Sequence, residues 1–219
     1  MAPPDMFVEP IPSIRIFTLI VSLIIYHTLD FVLHNRCHPQ PISFNACLCS
    51  IEYVAAFAFA LTEYCLEYFL CSWKRSTPLI TICYVVGLTG MVLGDGLRKL
   101  AMVQNAVGFT HKIATVRKEE HKLVSSGVYR LFRHPGYLGW FIWAVSTQVM
   151  LANPLSIMIY ICVSCRFFSE RIAYEEETLL TLFGDEYLEY MKRTRCYIPF
   201  TSTARDITGN SPSHKAIAH

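Results

Sequence analysis

Long apolar runs alternate with short polar ones along the chain, and that alternation predicts most of its architecture. Residues 14–33 are predominantly apolar, and a helix needs about 20 predominantly apolar residues to cross a bilayer. A cleavable signal peptide would open on a basic stretch and close on small residues. Here Asp5 and Glu9 precede the run and His34-Asn35-Arg36 follow it, which predicts a retained span. A second run covers residues 47–71 and a third residues 78–93, with 95–107 continuing the third helix out of the membrane. Two shorter runs, 137–151 and 155–168, are separated by Asn153-Pro154. Asparagine favours the cap position and proline the first helical turn. The pair therefore predicts a tight helical hairpin over 137–168, each arm slightly short for an independent span. From Ser169 the pattern turns polar and amphipathic. Glu175 to Phe183 predicts a helix, Gly184 its stop, and Asp185 the cap of a last helix to about Arg193. Residues 201–219 show no periodicity and read as a disordered tail.

Composition turns these runs into a fold class. Apolar residues make up 53% of the chain and charged residues 16%, against about 45–50% and 25% in a soluble domain. The expectation is an all-α, multi-span membrane helix bundle with about five spans. A net charge of +2 gives no reason to expect a nucleic-acid partner. The distribution of charge matters more than its sum. Of the 19 Lys and Arg, eight lie between Arg98 and Arg133 and seven from Arg166 onward. Positive residues favour the cytosolic side, which places the central polar segment and the C-terminal helices together in the cytosol as a polar cap. The predicted organisation is N-terminal transmembrane helices over 1–107, a catalytic region over 108–200 and the tail over 201–219.

Several polar or small residues interrupt the apolar runs. Glu52, Glu63 and Glu67 lie in the second run, where charge is expensive. Glu63 and Glu67 share one helix face and read either as interhelical polar contacts or as part of a substrate site. Gly87, Gly90 and Gly94 line one side of the third helix, and Gly90 and Gly94 have the spacing of a close packing seam. The nine cysteines include a CxxC pair, Cys162 and Cys165. That pair lies within a span and lacks the two further ligands a structural zinc site requires, so these thiols read as small hydrophobes and no metal is expected.

Chemistry concentrates in two places. His121-Lys122-Leu123-Val124 reads as a short extended segment, Ser125-Ser126-Gly127 as a turn, and Arg133-His134-Pro135-Gly136-Tyr137 opens the hairpin. A helix N-terminus suits a small anion such as the carboxylate of an amino-acid cofactor. Arg133 or His134 would supply charge or a donor there, although a basic residue at such a boundary also serves as a headgroup anchor. In the second place, Arg171 and Glu175 lie one helical turn apart, followed by Glu176 and Glu177. Arginine preceding glutamate is the weaker order for a surface pair, which favours a separate partner for each. Residue physics alone leaves both readings open.

Taken in order, His121-Lys122-Leu123-Val124, Gly127-Val128-Tyr129, Arg133-His134-Pro135-Gly136-Tyr137-Leu138-Gly139-Trp140, Asn153-Pro154, Arg166-Phe167-Phe168, Arg171, Glu175-Glu176-Glu177, Phe183-Gly184-Asp185-Glu186-Tyr187 and Ile198-Pro199 resemble the isoprenylcysteine carboxyl methyltransferase family. The resemblance runs over about Gly108 to Phe200; the N-terminal spans match only in character, and the chain looks shorter than the eight-span animal members. It implies an enzyme that uses S-adenosylmethionine, held by Ala114, His121, Lys122, Leu123, Val124, Tyr129, His134, Pro135, Gly136, Tyr137 and Glu175, with Arg171 facing the substrate carboxylate. It also implies partners among processed CaaX proteins ending in a farnesyl or geranylgeranyl cysteine, and a multi-pass enzyme of the endoplasmic reticulum membrane with its active site toward the cytosol. Arg171 makes physical sense as a clamp because guanidinium offers carboxylate a bidentate fork. Two other readings share parts of the pattern. A phospholipid N-methyltransferase would use the same cofactor, but an arginine at its amine acceptor would be counterproductive; a sterol reductase shares a related C-terminal region but has a much longer chain. A small transporter with Glu63 and Glu67 as relay groups would be a different class, and no internal repeat supports it.

Overall fold

Three of the apolar runs become helices long and apolar enough to cross a membrane: α1 (Ser13–Cys37), α2 (Ile51–Leu70) and α3 (Pro78–Gln104). The computed structural model describes residues 13–37, 51–71, 74, 78–105 and 122–201. It continues with a single 3-10 turn (Gly127–Arg130), then α4 (Pro135–Leu151), α5 (Pro154–Phe183) and α6 (Asp185–Arg193). Every element of regular structure among the described residues is helical, as expected. The third helix runs without a break past Leu93 to Gln104. The predicted start of α2 at 47 and the disordered tail over 202–219 lie outside the described residues.

Successive helices run antiparallel, and buried polar contacts mark both ends of the bundle. At one end, Arg15 near the start of α1 donates to the carbonyls of Ile80 in α3 (2.9 Å) and Met150 in α4 (3.1 Å). Glu63 of α2 accepts the amides of Leu155 and Ser156 at 2.8 Å each, and also the Ser156 hydroxyl. A carboxylate there satisfies orphan donors and complements the helix dipole. Asn153 precedes α5 without capping it through its side chain, contrary to expectation. Its amide instead donates to Ala60 O (2.8 Å) and its Oδ1 accepts from Lys74 Nζ (2.8 Å). Lys74 in turn pairs with Glu67 at 2.5 Å. Glu63 is therefore an interhelical contact and Glu67 ties α2 to the connection that follows it, and neither is poised as a relay group.

The glycines of α3 let it approach α4 backbone to backbone. A Cβ built on Gly94 would lie 2.6 Å from the Trp143 amide nitrogen and 2.7 Å from the Gly139 carbonyl oxygen. Gly94→Leu is therefore expected to leave no monodisperse protein in detergent extracts, because main-chain atoms cannot yield to it. Gly96→Leu, in open space on the same helix, should extract like the wild type, and equal yields for both would refute the seam.

Two boundaries differ from the expectation. The second arm of the hairpin does not end at Phe168, and no separate helix begins at Glu175: α5 is one helix of 30 residues. Ser169 to Tyr174 are polar enough to end an apolar run, but they contain no glycine or proline to break a helix. Phe168, Ile172 and Glu176, spaced by four, stay buried along a single face. The break comes at Gly184, whose φ of +54° suits glycine. Asp185 is the first residue of α6, not its cap.

Candidate active site

Of the predicted site residues that are described, His134, Pro135, Gly136, Tyr137, Arg171 and Glu175 meet where α4 begins, at the end of the bundle opposite Asn153. The chain enters α4 through a short parallel bridge in which the Arg133 amide donates to Arg195 O at 3.1 Å. Pro135 takes the first helical position, and Pro135 and Gly136 are buried. The amides of the first turn have no intrahelical acceptor.

Three side chains from this entry face α5. Arg133 Nη1 donates to Glu176 Oε1 (2.7 Å) and its Nη2 to Thr194 O (3.0 Å). His134 Nε2 lies 3.1 Å from the same Glu176 oxygen, and its Nδ1 lies 3.8 Å from Glu175 Oε2. Tyr137 stacks between His134 (ring centroids 5.7 Å apart) and Phe168 (5.1 Å), and its hydroxyl accepts from Arg171 Nε at 2.8 Å. The 3.6-residue period therefore brings both Arg171 and Glu175 to Tyr137, with Glu175 also toward His134, so the two share a partner instead of each having its own.

Glu175 Oε2 is buried without a hydrogen-bond partner among the described residues. A buried carboxylate oxygen left in that state costs free energy, and a cationic ligand group would recover it. S-adenosylmethionine carries both an ammonium and a sulfonium, and its carboxylate would suit the free amides at the α4 N-terminus. The residues present fit that cofactor.

The flanking wall is phenolic and apolar. Leu123 and Val124 pack with Tyr129, Tyr187, Tyr190 and Met191, while Lys122 is exposed. Tyr129 OH donates to Ala101 O at 3.3 Å, and Tyr190 OH donates to Tyr129 O at 2.8 Å. Burial pushes the hydroxyls of Tyr129, Tyr187 and Tyr190 well above the ordinary tyrosine range. They stay protonated at any physiological pH, so Tyr129 and Tyr190 act as donors, and none of the three serves as a base. Gly127, at φ +61°, turns this segment so that the Val128 amide donates to Gln104 Oε1 at 2.8 Å. Ala114 and His121 lie outside the described residues.

Glu176 anchors the entry to α4, although its sequence setting marks it only as one of an acidic run. The four-residue spacing from Phe168 and Ile172 was the signal that put it on the buried face. Asp30 and Arg98, both buried, were also missed; a lone carboxylate in an otherwise apolar run was the clue to the first.

Fold and site together define an all-helical, multi-span membrane protein with a buried polar centre at the mouth of a helical hairpin. Residues 85–181 match the model of the isoprenylcysteine carboxyl methyltransferase family. An Arabidopsis thaliana protein named protein-S-isoprenylcysteine O-methyltransferase B is 38% identical over 84% of this chain and 92% of its own length. A Saccharomyces cerevisiae protein-S-isoprenylcysteine O-methyltransferase is likewise 38% identical, over 89% of this chain and 84% of its own. A solved structure of a eukaryotic intramembrane Ras methyltransferase, an isoprenylcysteine carboxyl methyltransferase, superposes with a TM-score of 0.80 at 33% identity, covering 90% of this chain and 71% of that one. The chain belongs to the isoprenylcysteine carboxyl methyltransferase family.

Proposed function

We propose that this membrane-embedded methyltransferase takes its methyl group from S-adenosylmethionine and transfers it to the α-carboxylate of a C-terminal farnesyl or geranylgeranyl cysteine on processed CaaX proteins. Membership of the family makes the chain a protein carboxyl methyltransferase specific for isoprenylcysteine. The observation that carries the finer reading is the juxtaposition of Arg171, bound to Tyr137 at 2.8 Å, with a buried Glu175 oxygen, one turn away, that has no hydrogen-bond partner among the described residues. One group suits an anionic acceptor and the other a cationic donor.

The acceptor needs no general base. An α-carboxyl titrates at about 3.3–3.7 and is already ionised at neutral pH. S-adenosylmethionine, when bound, supplies an electrophilic methyl on a sulfonium. The protein's part is to orient the carboxylate and to strip water from it. Arg171 is the candidate clamp, and Phe168 and Ile172 make its surroundings apolar. Glu175, His134, Pro135, Gly136 and Tyr137 are the candidate cofactor contacts, with Tyr129 and the 122–124 segment behind them; Ala114 and His121 belong to the same proposal.

The membrane arrangement follows from the two substrates. A prenyl chain gains about 0.8 kcal/mol per buried CH₂ in lipid, whereas the cofactor arrives from water. We place about five spans in the bilayer, with α4 and the apolar half of α5 as a shielded hairpin. The C-terminal helices and the segment before α4 then cap it on the cytosolic face of the endoplasmic reticulum. The test is methyl transfer from labelled S-adenosylmethionine to N-acetyl-S-farnesylcysteine and, separately, to phosphatidylethanolamine. Base-labile label on the farnesylcysteine alone is the expected result. Label on the phospholipid alone would overturn the acceptor assignment, and no binding of S-adenosylmethionine by folded protein would overturn the cofactor.

A further inference from the structure

We propose that Asp30 and Arg98 form a positioning pair for methyl-donor binding: Asp30 on α1 grips Arg98 on α3, and Arg98 fixes the first turn of α4 through the carbonyl of Gly136. The inference rests on the reading that this turn contacts the donor. Arg98 donates to both oxygens of Asp30, Nε to Oδ1 and Nη2 to Oδ2, at 3.0 Å each. Its remaining arm, Nη1, reaches Gly136 O at 3.3 Å. Asp30 and Arg98 are 6% and 4% exposed, so this is a desolvated, bidentate pair with good geometry.

The second cation is also accounted for. Lys99 Nζ sits 2.7 Å from Asp30 Oδ1 and 2.9 Å from Asp95 Oδ1, and donates to Tyr26 O at 3.2 Å. Tyr26 lies under both cations, 4.1 Å from Lys99 Nζ and 5.9 Å from the Arg98 guanidinium carbon, and stacks on Trp143 of α4 at 4.0 Å. Among the described residues, two acids therefore face two bases. A pair that only welded α1 to α3 would be complete with the two Asp30 contacts. The third arm spends a guanidinium donor on the residue between Pro135 and Tyr137. One turn further along, a Cβ on Gly139 would lie 2.7 Å from the Arg98 amide nitrogen, so the α3 backbone lies directly against this stretch of α4.

Two physical consequences follow, and both concern the donor more than the acceptor. Loss of the Gly136 contact frees the turn that carries His134 and Tyr137. Loss of the Asp30 charge removes one of the two acids that the described residues place against Arg98 and Lys99, which leaves more positive charge behind the first turn of α4. Arg98→Lys keeps the charge but cannot reach Asp30 with two donors and Gly136 with a third. It is expected to raise the KM and Kd for S-adenosylmethionine about tenfold, the size of one lost charge-assisted hydrogen bond. The farnesylcysteine KM and the kcat at saturating donor should stay within about twofold. Asp30→Asn should raise donor KM at least as far, and Asp30→Glu, which preserves charge but shifts the fork, should raise it less.

Donor binding would be read by calorimetry on detergent-purified protein, with thermal midpoints beside it. Unchanged donor and acceptor KM, with kcat falling in step with the folded fraction, would reduce the pair to a structural weld and overturn the inference. A rise in acceptor KM alone would overturn it too. Should Asp30→Asn not fold, Arg98→Lys and Asp30→Glu decide on the same readouts. Wild-type protein separates the two levels of argument. If it does not bind S-adenosylmethionine, the proposed function falls; if it binds and Arg98→Lys binds equally well, only the positioning role falls.

Discussion

Arg171→Ala should lower kcat/KM for the farnesylcysteine acceptor at least about a hundredfold, the cost of misplacing one reactant, while donor Kd stays within about threefold. The asymmetry follows from the geometry. Arg171 is held by Tyr137 through Nε, which fixes the place where the guanidinium would meet a carboxylate. In a displacement that joins an anion to a sulfonium, charge disappears on the way to the transition state. The guanidinium therefore attracts the acceptor more strongly before reaction than at the transition state, and its benefit lies in orientation and in holding a partly dehydrated carboxylate. Removing it should raise acceptor KM and lower kcat together. Arg171→Lys keeps the charge but not the planar fork, so it should recover part of the KM and little of the kcat. Initial rates with both substrates varied would separate these terms, and wild-type acceptor kinetics in Arg171→Ala would refute the clamp.

The parts of this molecule legible in its sequence are those governed by local rules. Length and apolarity gave α1 to α3, proline and asparagine gave the hairpin turn, and glycine spacing gave a packing seam on α3, whose partner, α4, only the fold identifies. Residue spacing alone left the candidate site open: Arg171 and Glu175 lie one turn apart and His134-Pro135-Gly136-Tyr137 opens a helix, but only the family resemblance singled them out. What stayed hidden depends on partners distant in sequence. Asn153 looked like a cap by type, but the capping carboxylate comes from Glu63, about 90 residues earlier, with bonds to Leu155 and Ser156. The change at Ser169 from apolar to polar looked like a helix end, yet hydropathy reports the surroundings of a helix and not its hydrogen bonds. Asp30 and Arg98 were missed because they are 68 residues apart. Only the fold shows that one neutralises the other.

Arg133→Met should destabilise the protein by about 3 kcal/mol, the lower end of the cost of breaking a buried ion pair. Arg133 and Glu176 face each other at 2.7 Å with side-chain exposures of 3% and 0%, so removing the cation leaves a carboxylate that water cannot reach. The cost stays at the lower end because His134 Nε2, 3.1 Å from the same oxygen, remains as a donor. The arginine also ties the C-terminal segment to the site through Thr194 O at 3.0 Å, so the loss should loosen α6 together with the entry to α4. The paired change Arg133→Met with Glu176→Leu should recover most of the lost stability, since a well-packed apolar pair often matches a buried ion pair. Donor binding should not recover with it, because His134 would then have lost the carboxylate that orients its ring beside Glu175. Thermal midpoints and S-adenosylmethionine affinity, measured on the three variants (single, single and double), test both halves. Stability and affinity recovering together in the double variant would mean that Glu176 serves the fold alone. Stability recovering without affinity would show that the same carboxylate holds the helix entry together and aims the histidine within it.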